Sequence, residues 1–302
     1  MQFRSGFACF VGRPNAGKST LTNALVGGKV AITSSKPQTT RHAIRGIVHR
    51  PDGQLVIVDT PGLHRPRTLL GQRLNDVVRE TLNEVDVVGF CAPADVEVGA
   101  GDRYIATELA RLTDRTPVLG IVTKADTVPP ERVAGQLVAL QDLGDHTGAD
   151  FAELVPVSAV DGFQLGLLAD LLLARLPEGE PLYPDGTLTD EPEQTLVAEL
   201  IREAALAGVR DELPHSLAVV VEEMLPRPGR ADLLDVHANL YVERSSQKAI
   251  VIGRGGQRLR EVGTTARRHI ERLLGNHVYL DLHVKVAKDW QRDPKQLRRL
   301  GF

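Results

Sequence analysis

Gly12-Arg13-Pro14-Asn15-Ala16-Gly17-Lys18-Ser19 has the spacing G-x-x-x-x-G-K-S/T. Between a strand and a helix, such a loop is built to hold phosphates. Its glycines let the backbone curl so that successive N–H groups face an anion. The helix start adds partial positive charge. Lys18 is placed to reach β- and γ-phosphates, the Ser19 hydroxyl to hold Mg2+, and the phosphate-contacting run extends to Thr20.

Four further stretches share the spacing logic of a nucleotide switch. In Asp59-Thr60-Pro61-Gly62-Leu63, Asp59 suits Mg2+, mostly through water, and the Gly62 N–H suits the γ-phosphate. Lys18 and Gly62 are therefore the candidate catalytic groups. Within Pro37-Gln38-Thr39-Thr40-Arg41, one of the two threonines is placed to join Mg2+ only while the γ-phosphate is present; Thr40 is favoured and Thr39 stays open. In Thr123-Lys124-Ala125-Asp126, a buried Asp126 carboxylate accepts from guanine N1–H and N2–H2, and the Lys124 stem covers the base. Adenine lacks both donors and would leave that carboxylate unpaired. Ser158-Ala159 adds a backbone N–H, that of Ala159, for guanine O6.

These elements, in this order, resemble the signature of translation-factor-related GTPases. That family usually carries Asn where this chain has Thr123. A hydroxyl cannot replace both ends of the amide that ties the base loop to the phosphate loop, so weaker nucleotide binding is expected. Leu63 stands where Ras-like enzymes use Gln to orient water, and leucine makes no hydrogen bond. Slow intrinsic hydrolysis follows. Arg13, Arg41 and Arg65 are the candidate internal fingers. In related loops of the form GxPNxGKS a potassium ion near the Asn supplies positive charge, which marks Asn15 as a possible K+ site.

A second constellation lies near the C-terminus. Gly253-Arg254-Gly255-Gly256 follows Ile250 and Ile252 and opens a long basic helix. It matches the G-x-x-G loop of KH domains, which clamps about four nucleotides. Gly253 and Gly256 permit close approach of a sugar-phosphate backbone, and Arg254, Gly255, Arg258 and Arg260 complete the candidate RNA contacts with Ile252. Residues 244–302 hold 14 basic and 5 acidic side chains, a net of +9 in a chain whose total is −3. Residues 191–243 are acidic, with a net of −7. A basic module of this kind points to a polyanion.

The elements that must position these residues alternate in the first half. Apolar runs at 7–11, 44–49, 54–59, 86–91, 118–123 and 154–157 read as strands; 18–26, 69–84, 101–112, 131–142 and 163–176 read as helices. This predicts an α/β domain over 1–176, a mostly parallel six-stranded sheet with helices on both faces. Residues 177–192 hold four prolines, two glycines and five acidic residues, and read as a linker. Residues 193–302 follow as an α+β unit in the order αββααβ, with 216–225 and 233–243 as its first two strands. Hydrophobic residues make up 42% and charged residues 25% of 302, which excludes global disorder. No apolar run approaches the roughly 20 residues that span a bilayer, and no leader is expected at the start. Cys9 and Cys91 read as buried free thiols in a reducing compartment.

The stretches GRPNAGKSTLTNAL, PQTTRH, DTPGLH, KAIVIGRGG and VKVAKDW are similar to the Era-like GTPases, nearly end to end. That resemblance implies a GTPase domain joined to a type II KH domain, with GTP/GDP and Mg2+ as ligands. It implies binding near the 3′ end of 16S ribosomal RNA, a role in 30S subunit assembly, and no DNA partner. A cytoplasmic location, with peripheral contact to the inner face of the cell membrane, is implied too. Alternative readings are an ATPase, a constitutive RNA-binding assembly factor with a structural nucleotide, and a membrane-associated GTPase.

Overall fold

The computed structural model describes all residues except 1, 35, 37, 38, 64, 65, 67, 113–115 and 210–212. The expectations for Pro37, Gln38, His64 and Arg65 lie outside the described residues. The chain forms two compact units, one of Met1–Thr33, Thr40–Arg67 and Gly71–Asp190, the other of Ser34–Thr39, Thr68–Leu70 and Glu191–Phe302.

The first unit runs β1 (Arg4–Gly12), α1 (Lys18–Val26), β2 (Ile44–Arg50), β3 (Gly53–Asp59), α2 (Leu69–Glu84), β4 (Val87–Pro93), α3 (Ala100–Leu112), β5 (Val118–Thr123), α4 (Pro130–Thr147), β6 (Phe151–Pro156) and α5 (Leu165–Leu173). The sheet order is β2-β3-β1-β4-β5-β6, with β2 antiparallel to β3 and the other pairs parallel. Alternation along β1 feeds two cores. Ala8 and Phe10 pack with Leu21, Leu168 and Leu172, on the α1 and α5 side. Cys9 and Val11 pack with Val78, Leu82, Ile105 and Leu140, on the side of α2, α3 and α4. Both cysteines are free and buried. Burial pushes the Cys91 thiol up to about 12 and raises Cys9 as well, so neither is a reactive thiolate.

The expected linker needs correction. Residues 177–190 belong to the first unit. The side chain of Gln54, buried in β3, accepts from the N–H groups of Leu182 (2.7 Å) and Tyr183 (2.9 Å) and donates to the Tyr183 carbonyl (2.8 Å). The Ser5 hydroxyl donates to the Glu180 carbonyl (2.7 Å), and the Ile47 N–H on β2 donates to the Leu188 carbonyl (2.9 Å). The segment is a strap held by its backbone polar groups, and it covers an edge strand. Few apolar side chains are needed for that.

The second unit runs α6 (Glu193–Leu206), α7 (Leu213–Ser216), β7 (Ala218–Arg227), β8 (Arg230–Val242), α8 (Ser245–Ile252), α9 (Gln257–Leu274), β9 (His277–Val286) and α10 (Pro294–Arg299). β7 and β8 are antiparallel, and β8 and β9 parallel. The αββααβ order holds, with α7 and α10 as additions. Ser216, expected in a strand, ends α7; its carbonyl accepts from the indole N–H of the buried Trp290 (2.9 Å). No helix among the described residues is long and apolar enough to cross a membrane.

Candidate nucleotide site and nucleic-acid loop

The C-terminal ends of β1, β3 and β5 and the loop after β6 meet at one edge of the first sheet, where open α/β sheets bind ligands. β1 delivers the phosphate loop. A Cβ on Gly12 would lie 2.5 Å from the Cys91 carbonyl oxygen, so only glycine lets the loop leave the sheet there. Gly17 has φ 87 and starts α1 without a side-chain cap. The cap residue thus offers no side-chain acceptor to the first N–H groups of the helix.

Lys18 is buried, and its Nζ donates to the carbonyls of Gly12 (3.3 Å) and Arg13 (3.2 Å). Burial lowers its pKa, and the nearby Asp59 charge opposes that shift. Ser19 Oγ donates to Asp59 Oδ2 (2.6 Å) and lies 2.8 Å from Thr40 Oγ1, which in turn donates to Asp59 Oδ2 (3.1 Å). Thr39 Oγ1 donates instead to the Lys36 carbonyl (2.7 Å), so Thr40 is the threonine brought to this knot. Burial raises the Asp59 pKa, while Ser19, Lys18 and Thr40 pull it back. Asp59 Oδ1 is buried with no hydrogen-bond partner. A carboxylate oxygen left bare beside two hydroxyls is a fit for a hard divalent cation. Among the described residues no three His, Cys, Asp or Glu side chains gather for a metal. A cation here therefore needs further oxygens, such as those of phosphates.

Thr60 Oγ1 donates to the Phe10 carbonyl (3.0 Å), and Pro61 and Gly62 are buried. A Cβ on Gly62 would lie 2.9 Å from Pro14 N, so this turn sits directly on the phosphate loop. Leu63 packs into the core with Val11, Val58 and Val78. Its side chain is committed there, which agrees with its inability to orient water. Ala16 is buried, while Asn15 (φ 64) and Thr20 are exposed. Arg13 and Arg41 do not stand as free fingers. Arg13 Nε lies 2.8 Å from Asp102 Oδ1, and Arg41 is buried at 1% exposure.

Thr123 is buried, and its Oγ1 donates to the Ala16 carbonyl (2.6 Å). The hydroxyl thus makes one hydrogen bond between base loop and phosphate loop, where the expected amide would have offered two ends. Lys124 adopts φ 58, and its ammonium pairs with Asp95 (3.1 Å), a partner that sequence reasoning did not supply. Asp126 sits in a short 3-10 turn (Ala125–Thr127) and is exposed rather than buried. Ser158 is buried and its Oγ accepts from the N–H groups of Val160 (3.2 Å) and Asp161 (3.3 Å), shaping the turn that carries the half-buried Ala159. The Phe163 N–H, then the Ser158 hydroxyl, hold the Asp161 carboxyl below its ordinary value.

In the second unit, α8 and α9 flank the Gly253–Gly256 turn. Gly253 has φ 73, and a Cβ there would lie 2.7 Å from Arg258 Cβ. Arg254 and Gly255 are exposed and Ile252 is half-buried. Arg260 Nη2 donates to the Gly255 carbonyl (3.2 Å) and so stays at the loop. Arg258 does not. Its Nη2 donates to the carbonyls of Ala205 (3.2 Å) and Ala207 (2.7 Å) at the end of α6. It braces a helix C-terminus, where cations are favoured, and it leaves the set of candidate RNA contacts.

A family model described as a 50S ribosome-binding GTPase matches residues 7–124, and a KH-domain model matches residues 212–291. The chain is 68% identical over 302 residues to GTPase Era of Streptomyces coelicolor, covering 99% of this chain and 95% of that protein. The chain belongs to the Era family of GTPases. GTPase Era of Mycolicibacterium smegmatis is 67% identical over 301 residues, covering 100% and 99%. Two solved Era structures match with a TM-score of 0.92 at 36% identity, covering 99% of each chain. One is an Aquifex aeolicus Era variant bound to GDP·AlF4−; the other is Era in complex with MgGDPNP and nucleotides 1506–1542 of 16S ribosomal RNA.

Proposed function

We propose that this Era-family chain binds GTP and GDP with Mg2+, hydrolyses GTP slowly, and holds 16S ribosomal RNA near its 3′ end during 30S subunit assembly in the cytoplasm. The observation that carries the nucleotide half is the Ser19–Thr40–Asp59 knot beside Lys18, with the buried Asp59 Oδ1 unpartnered. Ser19 and Thr40 would hold the metal directly, with Asp59 behind them; bound Mg2+ supplies charge neutralisation at the phosphates. The ligands of the related solved structures support this reading, as they do for RNA.

In this reading Lys18 exchanges the Gly12 and Arg13 carbonyls for β- and γ-phosphate oxygens. The Gly62 N–H meets the γ-phosphate. Water attacks the γ-phosphorus, and the bond to the β–γ bridging oxygen breaks. Leu63 neither donates nor accepts, so catalysis rests on positioning and charge. Asp126 and the Ala159 N–H select guanine, with Thr123 holding their loop to the cradle. Thr123→Val keeps the shape and deletes the hydroxyl. It is expected to weaken GDP binding about fivefold, from ~1 kcal/mol of lost hydrogen bond. Fluorescence titration checks this, and unchanged affinity would show that the tie is idle.

Asn15 is exposed on the loop, so its amide is reachable by a cation, and we assign it K+. Turnover of GTP and ATP in KCl and in NaCl at equal ionic strength tests both claims. GTP is expected to turn over about tenfold faster in KCl. ATP is expected to be at least about 100-fold poorer in either salt. Equal GTP rates in the two salts remove the potassium role; equal use of ATP removes the guanine site.

A further inference from the structure

We infer that Asp102 is a positioning residue for the terminal phosphate: through Arg13 it holds Pro14 under Gly62, and so sets where the Gly62 amide stands. The inference rests on the proposed contact between that amide and the γ-phosphate.

Arg13 is a guanidinium inside a phosphate loop, yet its side chain is spent elsewhere. Its Nε lies 2.8 Å from Asp102 Oδ1, and its Nη2 donates to the Glu97 carbonyl (3.2 Å). Asp102 is wholly buried in the first turn of α3, and its other oxygen accepts from the Gly99 N–H (2.8 Å). Gly101 leaves the room this needs, since a Cβ there would lie 2.8 Å from Arg13 Cδ. Residues 97–102 thus form a socket for one side chain. The next residue in the loop, Pro14, has its φ fixed by its ring. Gly62 rests on it: a Cβ at Gly62 would come within 2.9 Å of Pro14 N and 3.1 Å of Pro14 Cα. The structure therefore contains an unbroken path from a buried carboxylate, through one ion pair and one rigid residue, to the turn that follows Asp59. A displaced Arg13 would shift Pro14, and with it the seat of Gly62. GDP lacks the γ-phosphate that Gly62 meets, so its affinity should register that shift less than the triphosphate's does.

The test is the ratio of affinities for GDP and a non-hydrolysable GTP analogue, with GTP turnover alongside. It is measured on the full chain for Asp102→Asn, Arg13→Gln, their double variant and Gly62→Ala. Each Asp102 or Arg13 variant is expected to shift the ratio about five- to tenfold against the triphosphate, GDP affinity falling less than that of the triphosphate analogue. The double variant should match the singles rather than multiply them, because the two residues act as one unit. Arg13→Lys keeps a charge opposite Asp102 and should recover part of the ratio. If Asp102→Asn does not fold, the double variant leaves no orphaned charge and carries the test with Arg13→Lys. A double variant with the parental ratio would make the pair a fold brace only and overturn the inference. An unchanged ratio in every Asp102 and Arg13 variant, while Gly62→Ala shifts it, overturns the inference and leaves the site reading standing. If Gly62→Ala also leaves the ratio unchanged, the γ-phosphate contact itself fails.

Discussion

Asp126→Asn is expected to weaken GDP binding by at least about 100-fold and to make xanthosine diphosphate the better ligand. A carboxylate offers two acceptors to the guanine N1–H and N2–H2 donors. Asparagine keeps one acceptor and turns an N–H2 toward the exocyclic amine, donor against donor. Xanthine carries a carbonyl in place of that amine, which the new amide can meet. Sites built around a hydrogen bond can reject the mismatched partner by 10⁴–10⁵; the partial hydration of an exposed turn argues for the smaller figure. Because Asp126 is exposed in the protein and lies outside the core, the change should leave the fold intact. Titration with GDP, xanthosine diphosphate and ADP checks it. Undiminished GDP affinity would mean that base selection lies elsewhere, and the Thr123 tie would then hold a loop with no reading role.

Where physics is local, the sequence could be read nearly to the residue. The helices 18–26 and 257–274 were legible because apolar spacing runs between glycines that can take the left-handed conformation. Gly27 (φ 76) and Gly275 (φ 72) end them, and Gly17 and Gly256 start them. The nucleotide cluster was legible because its residues sit at strand ends whose order the βα alternation dictates. What escaped was direction and distance. The strap at 177–190 looked like a linker because composition counts apolar side chains, and its anchor is one buried glutamine in β3. Arg258 looked like an RNA contact because charge is visible in a sequence and its aim is not; its partners lie some fifty residues upstream. That Thr123 could replace only one end of an amide was legible; which end was not, and its hydroxyl goes to the Ala16 carbonyl. Asp102 carried no signal at all, since its partner Arg13 is distant in the chain and belongs to a motif that explains itself without it.

Arg254→Asp combined with Gly255→Asp is expected to weaken binding of an RNA matching the 3′ end of 16S ribosomal RNA by at least about 100-fold, while GDP affinity stays within about twofold. The double change removes one cation and adds two anions at the exposed turn that opens α9. Phosphate contacts carry most of the affinity for a polyanion, so each lost cation should also reduce the salt dependence by about one unit of slope. Aspartate tolerates the left-handed backbone of Gly255 (φ 57) better than most residues, which limits damage to the turn. Arg260→Ala provides the graded comparison, since it deletes a single cation held at the Gly255 carbonyl. Arg258→Ala provides the contrast: it should lower thermal stability, because the carbonyls of Ala205 and Ala207 lose their donor, before it lowers RNA affinity. Crosslinking and sequencing of bound RNA with GTP analogue, with GDP and without nucleotide then separates a switch from a constitutive binder. A switch requires that RNA affinity differ between the nucleotide states, and linkage requires the same factor in the effect of RNA on nucleotide affinity. Identical RNA affinity in all three states would leave both sites intact and uncouple them, making the nucleotide a structural ligand of the first unit.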